Sequence, residues 1–129
     1  MNKIIVEVSI GELLDKISIL EIKQEKIKDL DKLKFINNEY SILKDQLKKN
    51  VKSDEKIDNL YQSLKEINAK LWIIEDDKRQ CEKDKDFGEK FIKLSRDVHF
   101  LNDDRAKIKL EINNHTGSSI KEIKEYTNY

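Results

Sequence analysis

Proline is missing altogether, glycine occurs three times, and cysteine and tryptophan occur once each in 129 residues. Without proline nothing forces a helix to kink or stop. Gly11, Gly88 and Gly117 stand far apart, so there is no glycine-rich loop to cradle a phosphate, and each has a capping or turn explanation. The lone Cys81 excludes an internal disulfide, and its seam-like position suits a small buried hydrophobe. No apolar run approaches the ~18 residues needed to cross a bilayer. Net charge is also absent: 26 basic residues balance 26 acidic ones, which removes the overall electrostatic footprint of a nucleic-acid-binding protein. The start of the chain has one lysine, Lys3, and a short Ile4-Ile5-Val6 run before Glu7, unlike a secretory leader. The expected setting is reducing and cytoplasmic, with neither membrane nor nucleic acid as a partner.

What is present is charge without excess. Charged residues make up 40% and hydrophobic residues 37%, the balance of long amphipathic helices and not of a self-repelling disordered chain. The length fits one domain. The chain has 23 lysines but only three arginines, Arg79, Arg96 and Arg105. Where lysine is used so freely, a retained arginine points to a need for its planar fork of donors.

Periodicity places the elements. Residues 3–8 read as a short extended arm, and no second strand is available to pair with it inside the chain. It must lie on the helices or reach a second copy. Ser9-Ile10-Gly11-Glu12 forms a capping box that opens a helix over about 10–28, with a seam through Leu13, Ile17 and Leu20. A second helix over about 31–51 follows the Asp29-Leu30-Asp31 break, with Ile36, Tyr40 and Leu47 facing inward. A third, about 54–83, carries Ile57, Leu64, Leu71 and Cys81. Asp86-Phe87-Gly88-Glu89 is a further capping signal for a last helix over about 87–114. Ser118 or Ser119 could cap a final short turn. The fold class is all-α: an elongated antiparallel bundle of three to four helices with an extended N-terminal arm. It reads as one domain over 1–129, with the arm at 1–9, the bundle at 10–114 and a tail at 115–129. Seams this narrow resemble those of coiled coils and often continue into a second subunit, so a homo-oligomer is expected.

The last helix carries the anomaly. Phe87, Phe91, Leu94, Val98, Leu101, Arg105, Ile108 and Ile112 repeat at spacings of 4, 3, 4, 3, 4, 3 and 4. An arginine inside a greasy seam costs energy unless something answers it. Asn102 and Lys109 lie nearby, and Glu75 and Glu21 on other helices are candidate partners. One reading is an ion pair that fixes helix register. The other is a pocket in which Arg105, Lys109 and Asn102 hold an anionic small molecule, since arginine binds carboxylate and phosphate bidentately. Trp72, beside seam residue Leu71, and the arm residues Ile4 and Val6 are candidate interface anchors. His99 and His115 are too far apart to share a metal on one helix. Glu21 and Glu25 lie four apart, Glu75 and Asp76 and likewise Asp103 and Asp104 lie adjacent, and Glu122-x-x-Glu125 falls in the tail, a pattern of solvated faces that implies no cofactor and gives a divalent metal little support.

Several motifs then appear together: Ile5-Val6-Glu7-Val8-Ser9-Ile10-Gly11-Glu12-Leu13, Leu71-Trp72-x-Ile74-Glu75-Asp76, Asp86-Phe87-Gly88, and Asn102-Asp103-x-Arg105-Ala106-x-x-Lys109. In this order they resemble a bacterial and phage family catalogued as a domain of unknown function, over nearly the full chain. The resemblance implies family matches at Glu12, Asp15, Lys16, Glu21, Lys23, Trp72, Glu75, Arg96, Asn102, Arg105, Lys109 and Asn113. It also implies a genomic setting of surface-polysaccharide or sugar-nucleotide work, but no activity. The tail, Lys121-Glu122-Ile123-Lys124-Glu125-Tyr126, departs from the family's Glu-Glu-Lys-Ser-Tyr ending. The functional expectation is a self-associating assembly protein. The alternative is a protein or enzyme that binds an anionic metabolite through Arg105, Lys109, Asn102, Glu75, Glu21, Arg96 and Lys16.

Overall fold

The computed structural model describes residues 2–128 and forms them into four helices: α1 Ile10–Lys26, α2 Leu30–Asn50, α3 Glu55–Asp84 and α4 Glu89–Thr116. Among the described residues there is no strand. Three helices begin on a side-chain oxygen that takes up an orphaned backbone donor. Ser9 Oγ accepts from the Glu12 amide at 3.0 Å, Asp29 Oδ1 from the Asp31 and Lys32 amides, and Asp54 Oδ1 from the Ile57 amide at 2.8 Å. The second half of the expected capping box is spent elsewhere: the Glu12 carboxylate pairs with Lys109 at 2.6 Å. Asp86 does not cap α4. It accepts from the Gly88 amide at 3.1 Å, shaping the turn, and the helix starts from Gly88 without a side-chain cap. Ser118 caps no final turn either; its hydroxyl accepts from the Ile10 amide at 3.2 Å and ties the tail to the start of α1.

The shortest helix sits at the centre. α1 packs against all three others, while α3 and α4 pair along a hairpin and α2 lies on α1 from outside. Contacts of Gly11 with Asn113, Glu12 with Lys109 and Asp15 with Arg105 run α1 antiparallel to α4. A helix touched from three sides is buried on more than one face. Leu14, Ile17, Leu20 and Ile22 are each at most 3% exposed, together with Asp15 and Ser18. Leu14 joins Ile57, Leu64 and Ile112 in the core cluster, and Leu47 of α2 and Val51, just past its end, close it.

The α3/α4 hairpin outruns this support. Hydrogen bonds from α1 reach α3 at Tyr61, Lys65 and Asn68 and α4 at Arg105, Lys109 and Asn113. Between residues 76 and 100 Cys81 alone is buried, and Phe87 and Ile92 are more than half exposed. At the other end the arm, residues 2–8, is exposed throughout.

Candidate functional site between α1, α3 and α4

One turn after another, α4 presents Asn102, Arg105, Lys109 and Asn113 to the first half of α1. Arg105 grips Asp15 with both arms of its fork: Nε donates to Oδ1 at 2.9 Å and Nη2 to Oδ2 at 2.5 Å. Asn68 of α3 donates to the same Oδ1 at 2.9 Å and to Ser18 Oγ at 2.8 Å, and Ser18 donates to the Asp15 carbonyl at 2.7 Å. Asn102 accepts weakly from Arg105 at 3.4 Å. One turn on, Lys109 Nζ holds Glu12 at 2.6 Å and Glu122 of the tail at 2.9 Å. A further turn on, Asn113 Oδ1 accepts from the Gly11 amide at 2.7 Å. Gly11 permits this approach, because a Cβ there would stand 2.5 Å from the Lys109 carbonyl oxygen.

The charges balance locally. Burial alone would raise the Asp15 pKa. Hydrogen bonds from Arg105 and Asn68, with the charges of Arg105 and Lys109, outweigh it and hold the carboxyl below its usual range. Burial likewise works against charge on Lys109, but Glu12 and Glu122 overcome it and raise the ammonium pKa. The hydrogen bond from Lys109 is the main cause that keeps Glu122 low. Among the described residues no buried side-chain polar atom is left without a partner.

The residues singled out in the sequence fall into separate places. Arg105, Lys109 and Asn102 come together, but neither Glu75 nor Glu21 pairs with Arg105; Asp15 does. Glu75 instead binds Arg79 on its own helix at 3.1 Å. Glu21, in the second half of α1, accepts from Tyr40 at 3.1 Å and from Tyr61, with Lys65 at 4.0 Å. Lys16 is exposed and stands 3.9 Å from Glu12. Arg96 lies over the Phe100 ring, 5.8 Å from its centroid. Ile4 and Val6 are exposed on the arm. Asn68, Ser18 and the close approach at Gly11 carried no sequence signal of their own. Each follows or neighbours an apolar seam residue, and only the third dimension turns it inward. Asp15 was marked by the family resemblance and not by periodicity.

Beside the Asp15–Arg105 pair lies a cavity of about 470 Å³ between α1, α3 and α4. Trp72, Leu71, Ile19 and Ile22 give it an apolar wall, and Arg105, Glu75, Asp76 and Arg79 reach its edge. A second groove of about 390 Å³ runs between α3 and α4, lined by Ile73, Ile74, Phe100 and Leu101 with Lys70 and Asp97. Among the described residues no three His, Cys, Asp or Glu side chains converge to hold a metal ion. Among the described residues no helix is long and apolar enough to cross a membrane.

No curated protein and no solved structure matches the chain. A family model described as a family of unknown function, DUF6165, matches residues 4–129, and the chain belongs to that family.

Proposed function

We propose that the protein is a self-associating helical module in which the N-terminal arm of one copy seats in the α3/α4 groove of another. The observation that carries this reading is the arm itself. Ile4, Ile5 and Val6 are 91%, 85% and 69% exposed, with no partner strand among the described residues. Three consecutive exposed apolar side chains and a row of unpaired backbone groups favour association.

Reach selects the occupant. The arm leaves the bundle where Gly11 meets Asn113. From there the groove at Leu101 lies twelve helical residues away, about 18 Å at 1.5 Å per residue. Ile5 is only four residues from Ser9, about 13 Å when fully extended. Ile5 and Val6 fall short of their own groove even with the arm fully extended, and only Ile4, five residues from Ser9 and about 17 Å away at full stretch, comes near it, so a second copy is the fitting donor. Lys3 and Glu7 flank the arm's apolar run, and Lys70 and Asp97, the latter already 2.8 Å from the exposed Lys93, flank the groove. A reciprocal exchange of this kind closes as a two-fold dimer.

Size-exclusion chromatography with light scattering tests the proposal. The full chain should run as a dimer, and removal of residues 1–8 or Ile5→Asp should give a folded monomer. Lys3→Glu should weaken the dimer and Asp97→Lys in the same chain should restore it. A full chain that stays monomeric into the millimolar range sinks the reading.

The alternative of an anion held by Arg105 and Lys109 has less support. Both cations are already engaged, by Asp15 and by Glu12 with Glu122. At Arg105 an incoming anion would have to strand the buried Asp15 carboxylate, and at Lys109 it would have to displace Glu12 or Glu122.

A further inference from the structure

The cavity beside the Asp15–Arg105 pair has a charge of its own, and it is negative. Arg105 lines it, but the bidentate contact with Asp15 already neutralises that guanidinium. Arg79 also lines it and is bound to Glu75 at 3.1 Å. Two cations thus face two carboxylates, and the Asp76 carboxylate at the same rim is the surplus. Beside it on α3 stand Trp72, one turn back, and Leu71, and Ile19 and Ile22 of α1 complete an apolar wall.

We propose that this cavity binds a small organic cation: a protonated amine carried on an apolar or aromatic body. The body would lie against Trp72 and the aliphatic side chains. The ammonium would meet the Asp76 carboxylate, with the electron-rich indole face adding attraction. The volume, about 470 Å³, falls in the range of small-molecule sites, roughly 300–1,000 Å³. An apolar cleft with a few convergent polar groups is a usual form of such sites. An anion of the same shape meets the opposite balance, because Asp76 repels it and Arg105 is available only if Asp15 is left unpaired in the interior. This site is independent of the arm-in-groove contact, which lies on the other residues of the hairpin.

Trp72 is the only tryptophan, so its fluorescence reports on this cavity without interference. At one fixed protein concentration and constant ionic strength, the full chain is titrated with phenethylamine and, separately, with phenylacetate. The expected result is a saturable change in Trp72 emission with the amine, and at least a fivefold weaker response to phenylacetate. Asp76→Asn, an exposed substitution, should weaken amine binding about fivefold while leaving the circular dichroism melt in place. Trp72→Phe, followed by calorimetry, should also weaken it. Absence of a saturable response to the amine overturns the proposal, as does tighter binding of phenylacetate or an Asp76→Asn chain that binds the amine unchanged. The comparison of the two probes on the unmodified chain stands even if a variant fails to fold.

Discussion

Removing Asp15 strands two donors at once. Arg105 loses both arms of its contact and Asn68 loses one acceptor, all at a position 1% exposed. Asp15→Ala should cost about 3 kcal/mol in chemical denaturation, the range for breaking a buried pair by deleting one partner. Replacing both partners, Asp15→Leu with Arg105→Met, should recover most of that loss, since a well-packed apolar pair of similar volume is often neutral. If the double substitution is as unstable as the single one, the pair stabilises the fold in some way other than mutual neutralisation. The same carboxyl sets a pH dependence. Its folded pKa lies below its unfolded one, so its contribution is complete above the ordinary aspartate value near ~4 and is lost as pH falls through the folded value. Lys109 behaves in the opposite sense. Its folded pKa is raised, so its contribution is intact below about pH 10 and is lost as pH rises through the folded value. The melting temperature should therefore hold steady through neutral pH and fall below about pH 4. Asp15→Asn should show a shallower acid limb; identical limbs would assign the acid loss to other carboxylates.

At the scale of the helix, positions where backbone geometry overrules side-chain preference give the clearest tests. Alanine in place of glycine normally favours a helix by about 1 kcal/mol. Gly11→Ala should do the reverse and destabilise by roughly 1–3 kcal/mol. Its Cβ would press on the Lys109 carbonyl and on Asn113 Oδ1, and neither can move without breaking the α1–α4 contact. Lys85 closes α3 in the left-handed conformation at φ 55°, where a Cβ is a burden. Lys85→Gly should raise stability by about 0.5–1 kcal/mol, read as a higher melting temperature. The elements themselves were legible in the sequence because helix period, capping residues and the lack of proline all agreed. The seams of α2 and α3 are the buried or half-buried faces, from Ile36 and Leu47 to Ile57, Leu64 and Cys81. What stayed hidden was the burial of α1. Its pattern marked one face, yet Leu14, Asp15, Ser18 and Ile22 are inside because three helices surround it. The partner of Arg105 was hidden for the same reason. Periodicity shows that a charge needs an answer, but only packing decides that the answer comes from Asp15 on the central helix and not from Glu75 or Glu21.

Across the whole molecule, stability should be uneven. The half of the hairpin that rests on α1 contains Leu64, Asn68, Ile112 and Asn113, each at most 5% exposed. The far half holds only Cys81 in a buried position between residues 76 and 100. Few buried apolar groups mean a low local opening energy. In native-state hydrogen exchange at low protein concentration, amides around 80–95 should exchange about tenfold faster or more than those around Leu64 and Ile112. The latter should open only with global unfolding, as should α1 around Ile17. Association of two copies changes this pattern in a way that local stability alone does not. An arm seated between α3 and α4 covers Ile73, Ile74, Phe100 and Leu101, so raising the protein concentration should slow exchange at 70–74 and 97–101 and in the arm, and leave the hairpin tip near 85 as fast as before. Uniform slowing along the hairpin would point to contact between the exposed faces of Phe87 and Ile92 instead. No slowing at any concentration would mean that the groove stays open and the arm has no seat on a second copy.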